Sequence, residues 1–188
     1  MHEFKTAFIL GRYQLFHNGH LSLIDEAIKL ADNVIVLIGS SDKKRTIDNP
    51  FTYEERKEMI LAVRPNLKII PINDLGVGDV FLWGDYLIEE INKIGYNPDL
   101  FIFGNEAKVD KWFRPEVLKN ITIKKVSRSI IDISATKLRN YIIEDNKEYL
   151  KYIPNEIHDL IPKIKEILLQ ITIEQWLLIH SIKIAQFF

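Results

Sequence analysis

Five apolar runs alternate with helical patterns along this chain, and that alternation limits the possible folds more than any other feature. The runs are Ala7 to Leu10, Val34 to Gly39, Leu67 to Ile72, Leu100 to Gly104 and Ile121 to Val126. They are nearly continuous Val, Ile, Leu and Phe, which marks strands buried on both faces, as in a parallel sheet covered by helices. Between them the patterns predict helices at His20 to Ala31, Tyr53 to Val63, Trp83 to Ile94 and Ala107 to Leu118. Thr52 with Glu55 reads as a capping box for the second helix, and Pro65 supports its end. The expected fold class is α/β, a Rossmann-like open parallel sheet with helices on both faces. Ligands in such sheets lie outside the carboxyl ends of the strands, so chemistry is expected just past those ends.

Length and charge fit one domain and exclude some partners. The chain has 188 residues, enough to bury well over half of its unfolded surface. Lys plus Arg (25) nearly balance Asp plus Glu (26), so no global basic field recruits nucleic acid or an acidic membrane. Any anion site must come from a local cluster. With no cysteine the chain has no disulfide, thiolate metal site or cysteine nucleophile, which fits a reducing cytoplasm. No charged-then-apolar signal segment opens the sequence, and a cytoplasmic location is expected.

The anion cluster is legible at Thr6 to His20, TAFILGRYQLFHNGH. An apolar strand ends at Gly11, a short loop carries Arg12, and two histidines flank Asn18-Gly19 at the start of a helical pattern. Imidazoles at His17 and His20 can aim ring N–H groups at one oxyanion. Gly19 permits close backbone approach, and the helix N-terminus adds its positive end. A second stretch, IDISATKLRNYI from Ile131 to Ile142, repeats the theme. Ser134 as N-cap leaves helical N–H groups facing an anion, with Thr136 beside it and Arg139 about one turn in. The same three residues also suit an ordinary cap and a solvated helix face. Lys43, Lys44 and Arg45 form a basic run in a loop, either solvated or within reach of phosphate.

GRYQLFHNGH resembles the GRFQPFHxGH element of the HxGH nucleotidyltransferases, with Leu15 where that family usually has proline. The Ile131 to Ile142 stretch resembles the family's ISxTxxR segment, and GSSDKKRTIDNPFTYEERKEMI (Gly39 to Ile60) is similar to a segment of archaeal-type nicotinamide mononucleotide (NMN) adenylyltransferases. The resemblance covers about residues 6 to 165 and implies the nucleotidyltransferase fold. It implies transfer of AMP from ATP to NMN by direct in-line attack, giving NAD and pyrophosphate. His17, His20 and Arg139 are then the catalytic groups. ATP contacts are Gly11, Arg12, Gly19, Gly104, Asn105, Ser134 and Thr136, with Gly104-Asn105 beside the adenosine. On the NMN side the resemblance implies Asn49, Asp74 and Trp83, the tryptophan stacking on the nicotinamide ring. A plain turn at Gly104-Asn105 and a core role for Trp83 are the alternatives.

Magnesium is expected as the cofactor, bound through the ATP phosphates while keeping several waters, because no carboxylate cage is visible. ATP and NMN are the expected partners. A different phosphate-ester acceptor (phosphopantetheine or flavin mononucleotide), or a nucleotide sensor without turnover, are the competing functions. Composition shifts near Glu166, dividing a nucleotidyltransferase domain (1–165) from an apolar tail (166–188). Ile164, Leu168, Ile171, Leu178, Ile182 and Ala185 fit one helical face, although β-branched residues leave a strand open. The tail's length approaches a membrane span, but its charges and glutamines argue against one. It needs cover from its own domain or from a neighbouring subunit, and a homo-oligomer is expected.

Overall fold

The computed structural model describes residues 2–76, 80–104, 109–126 and 134–185, with backbone only for Asp110 and 179–185. Its strands are β1 (Phe4–Gly11), β2 (Ala31–Ile38), β3 (Lys68–Pro71), β4 (Leu100–Phe103) and β5 (Thr122–Lys125). All pairs are parallel, in the order β3-β2-β1-β4-β5. The helices are α1 (Asn18–Leu30), α2 (Tyr53–Val63), α3 (Val80–Lys93), α4 (Pro115–Leu118), α5 (Ala135–Ile143) and α6 (Ile161–Ala185). Strand order reverses at β1, which pairs with β2 on one side and β4 on the other. A crevice opens at the carboxyl ends of strands at such a reversal.

The period of two along each strand explains why the runs are apolar throughout. Ala7, Ile9, Val34, Val36, Ile38, Leu100 and Ile102 point into one core, closed by side chains of α1, α2, α5 and α6. Phe8, Ile35, Leu37 and Phe101 point into the other, closed by Leu87 and Ile91 of α3 with Val109 and Phe113. Every central position is therefore covered, whichever way it faces. Pro71 lies on the edge strand β3, where a missing N–H is tolerated.

Helix α2 runs over the expected residues because its signals are local. Thr52 Oγ1 accepts from the Glu55 N–H at 3.2 Å while Glu55 Oε2 accepts from the Thr52 N–H at 2.9 Å. The expected helix from Ala107 to Leu118 is corrected. Ala107 and Lys108 lie outside the described residues; beyond them a 3₁₀ turn (Val109–Trp112) stops before Phe113, and α4 restarts at Pro115. Phe113 turns inward instead, edge-on to Phe8 and Phe101 with centroids 6.3 and 5.6 Å away. Burying it stabilises by about 1.5–3 kcal/mol, against less than about 1 kcal/mol per residue for continuing a helix. The turn also packs hard on α3, since a Cβ on Gly84 would lie 1.9 Å from the Trp112 carbonyl oxygen.

The tail is helical, as expected, but its buried face is shorter than the periodicity predicts. Ile161, Ile164, Leu168 and Ile171 are buried in the first core, whereas Leu178 is 56% exposed. Helix α6 has 25 residues, a length of roughly 37 Å at 1.5 Å per residue. Among its described side chains the last buried one is Ile171. Ile182 and Ala185 fall outside the described side chains. Among the described residues no helix is long and apolar enough to cross a membrane.

Candidate functional site

Two clefts meet at the carboxyl end of β1, sharing Leu10, Gly11 and Arg12. The first has about 300 Å³ of room and is polar, lined by Arg12, Tyr13, Gln14, His17, His20, Asp48, Ser134, Thr136 and Arg139 among others. The second, about 380 Å³, is lined by Gly39, Ser40, Asp74, Trp83 and Trp112 together with the shared residues. Sequence stretches more than a hundred residues apart thus face one space.

In the first cleft two helix N-termini converge. His17 is the N-cap of α1, and its Nδ1 accepts from the Gly19 N–H at 3.1 Å. A neutral ring with Nδ1 so engaged carries its proton on Nε2. His20 stacks on His17 with centroids 3.8 Å apart, and its other sides meet Tyr13 and Phe16 at 4.9 and 5.7 Å. The glycine between them has a reason the motif alone did not reveal. A Cβ on Gly19 would lie 2.9 Å from His17 Cε1, so the space it saves is taken by the imidazole rather than by a ligand. Gly11 plays the same part for Tyr13, whose ring lies 2.9 Å from where a Cβ would sit. Ser134 caps α5, its Oγ accepting from the Lys137 N–H at 3.2 Å.

Arg139 is in the cleft wall but only 7% exposed. Its Nη1 donates to the Gln14 carbonyl at 2.6 Å, and its Nη2 donates at 3.2 Å to the Ile47 carbonyl and to Thr136 Oγ1. Burial pushes its pKa down; Asp48 opposes that shift and Arg12 adds to it. The guanidinium therefore fastens two site loops to α5 while lending its charge to the cleft.

In the second cleft Asp74 Oδ1 accepts from Ser40 Oγ at 3.0 Å. Trp83 lines the same cleft, half-buried, with Tyr86 at 5.9 Å. Asn49 does not line either cleft. Its side-chain oxygen accepts from Gln14 Nε2 at 3.5 Å, and its neighbour Asp48 is the residue that reaches the first cleft. Gly104 is buried at the end of β4, and Asn105 lies outside the described residues. Two members of the basic run, Lys43 and Arg45, pair with carboxylates. Arg45 holds Glu55 with two hydrogen bonds of 2.7 and 2.6 Å, and Lys43 pairs with Asp42 at 2.9 Å.

Two residues that sequence reasoning passed over hold this architecture together. Arg56 on α2 is fully buried and donates to the carbonyls of Thr52, Arg12, Gly39 and Ser40 at 2.8–3.1 Å. Burial pulls its pKa down to about 10, against the opposing pull of Asp42 and Asp74. Gln14 pairs with the Phe51 backbone, accepting from its N–H at 2.9 Å and donating to its carbonyl at 3.3 Å. Arg12 and Gln14 stand in the strand-to-helix loop, where Tyr13 has φ 51° and Leu15 φ 153°. Proline, fixed near −65°, does not fit the backbone at Leu15, and the loop holds its own strained path through these clamps.

The model of the cytidylyltransferase-like family matches residues 8–186. A nicotinamide-nucleotide adenylyltransferase of Methanococcus aeolicus is 33% identical over 162 residues, covering 84% of this chain and 88% of the relative. One from Thermococcus kodakarensis is 27% identical over 168 residues, covering 86% and 84%. Among solved structures, a bifunctional NMN adenylyltransferase/ADP ribose pyrophosphatase from Francisella tularensis, complexed with AMP and a manganese ion, shares the fold with a TM-score of 0.71 at 21% identity. The alignment covers 97% of this chain but only 56% of that longer one. With its sheet order, its HNGH loop and these relatives, the chain belongs to the cytidylyltransferase-like family of nucleotidyltransferases, alongside the archaeal nicotinamide-nucleotide adenylyltransferases.

Proposed function

We propose that this protein transfers AMP from ATP to NMN, giving NAD and pyrophosphate. The observation that carries the reading is the meeting of two clefts at Gly11 and Arg12. The cationic one is lined by both histidines and two arginines, and the other presents Asp74 and Trp83. A dinucleotide has two nucleotide halves joined through phosphates, and the shared wall is where those phosphates would meet. An NMN phosphate oxygen attacks the α-phosphorus of ATP, forming one P–O bond as the bond to the bridging oxygen breaks and pyrophosphate departs. No covalent enzyme intermediate is needed, so the protein acts by alignment and by neutralising charge spread over phosphate oxygens.

The residues divide the work by position. His17 and His20 face the α-phosphate, with Arg12 alongside. The α5 N-terminus at Ser134 and Thr136, backed by the buried charge of Arg139, takes the outer phosphates. Gly104 and Asn105 border the adenosine, and Asp74, Trp83 and Asn49 serve the NMN side, Asn49 through Gln14. Among the described residues no group of three or more His, Asp or Glu side chains offers a closed metal cage. In this reading a Mg²⁺ ion is carried in by the ATP phosphates, which it would clamp and partly neutralise.

Purified protein given ATP, Mg²⁺ and NMN is expected to release NAD and pyrophosphate in equal amounts. Absence of NAD, or faster product formation with phosphopantetheine or flavin mononucleotide, overturns the assignment. Trp83 gives a finer test. An aromatic platform under a flat ring contributes about 0.5–1.5 kcal/mol beyond area burial. Trp83→Ala is therefore expected to raise the KM for NMN several-fold and leave that for ATP nearly unchanged. An equal loss for both substrates, with a lowered melting temperature, would assign Trp83 to the core instead.

The protein acts in the cytoplasm as a homo-oligomer in this reading. Ile173 and Leu177 of α6 are more than half exposed, and a second subunit covering them removes that apolar surface from water. Light scattering is expected to give a mass above 22.0 kDa, falling to the monomer's when both are replaced by glutamate.

A further inference from the structure

Resting on the ATP reading above, we infer that Asp48 is the protein's contact with the divalent cation that travels on the ATP phosphates, reached through the cation's water shell. The cleft that would take the phosphates is lined by Arg12, His17, His20 and Arg139, and Asp48 is the one carboxylate among its described lining residues. A bare carboxylate there repels an incoming triphosphate. A cation between the two reverses the sign of that interaction.

The position is built and held. The Thr46 N–H donates to the Asn49 carbonyl at 3.2 Å, and the Asn49 N–H donates to Thr46 Oγ1 at 3.0 Å, closing a tight turn with Ile47 and Asp48 at its corners. The Arg45 N–H donates to the Pro50 carbonyl at 3.3 Å, adding a second rung below it. Arg139 then seizes the turn through the Ile47 carbonyl, the residue next to Asp48. Asp48, Arg12 and Arg139 line the same cleft, where Asp48 favours the charged arginine and Arg12 opposes it. Both neighbours of Asp48 are thus fastened, Ile47 by Arg139 and Asn49 by Thr46 and Gln14, which holds the residue in the cleft wall. A single carboxylate among the described lining residues suits Mg²⁺, which keeps its waters and takes its inner ligands from phosphate.

The test compares Asp48→Asn with the wild type by calorimetric titration of ATP, once with EDTA and once with Mg²⁺. Manganese bound in the ternary complex with ATP is read separately by electron paramagnetic resonance. Losing a charged hydrogen bond while keeping a neutral one is expected to cut the Mg²⁺-dependent gain in ATP affinity by about tenfold. Metal-free ATP is expected to bind the variant at least as tightly as the wild type. Asp48→Glu, which keeps the charge, is expected to keep the gain. An unchanged gain in Asp48→Asn, with wild type binding both forms, overturns the role of Asp48 alone. A wild type that binds neither form overturns the ATP reading and this inference together.

Discussion

Replacing Arg56 by methionine is expected to lower folding stability by about 3–5 kcal/mol, the range for stripping a partner from a buried charged network. The guanidinium donates to carbonyls at five positions, counting Ser41 at 3.5 Å, and methionine fills the volume without a single side-chain N–H. Each buried acceptor left without a donor costs about 1–3 kcal/mol. The sum overshoots, because burying the charge is itself unfavourable, as its lowered pKa of about 10 records. For a chain of this size the net loss amounts to a fall of roughly 10 °C in melting temperature. Lysine is not expected to rescue it, since one ammonium cannot span carbonyls from the β1 loop, the β2 loop and α2 as a planar fork does. Thermal and urea unfolding check the first claim, and the lysine variant checks the second. A melting temperature within 2 °C of wild type for the methionine variant would mean the carbonyls find water instead.

Arg56 also shows where the sequence stops being readable. Within YEERKEM it sits among Glu54, Glu55, Lys57 and Glu58, a pattern that reads as a solvated helix face. Nothing local says that the ends of β1 and β2 will close over one member of that run. Gln14 is hidden in the same way, since its Phe51 partner lies 37 residues away. The strands and α2 were legible because their causes are local or periodic: apolar runs, a capping box, a proline past the helix end. His17 and His20 were legible by spacing. The purpose of the glycine between them was not, because it depends on which way the His17 ring turns. The break at Phe113 and the exposure of Leu178 came from tertiary packing, which helical periodicity does not carry. Arg139 was found by motif, yet its hold on Gln14 and Ile47 came only with the fold.

His20→Ala is expected to reduce kcat about a hundredfold, the effect of losing one donor to a transition-state oxyanion at about 3 kcal/mol, with ATP affinity changed only a few-fold. The reason for the split is that in-line transfer adds charge to the α-phosphate oxygens only as the new P–O bond forms. A donor that meets that charge acts on kcat rather than on binding. His17 needs a subtler variant, because it does two jobs. Its Nδ1 caps α1 through the Gly19 N–H, and its ring stacks on His20. His17→Ala loses both, adding about 1 kcal/mol of cap energy to the catalytic loss. His17→Asn keeps a cap acceptor and loses the ring, so it is expected to melt near the wild-type temperature and still turn over slowly. Single-turnover measurements with saturating ATP and NMN separate the chemical step from release of NAD. A His20→Ala variant with wild-type single-turnover rate would remove the histidine from the chemistry. A His17→Asn variant that melts as low as His17→Ala would place the ring's importance in holding α1 rather than in meeting phosphate.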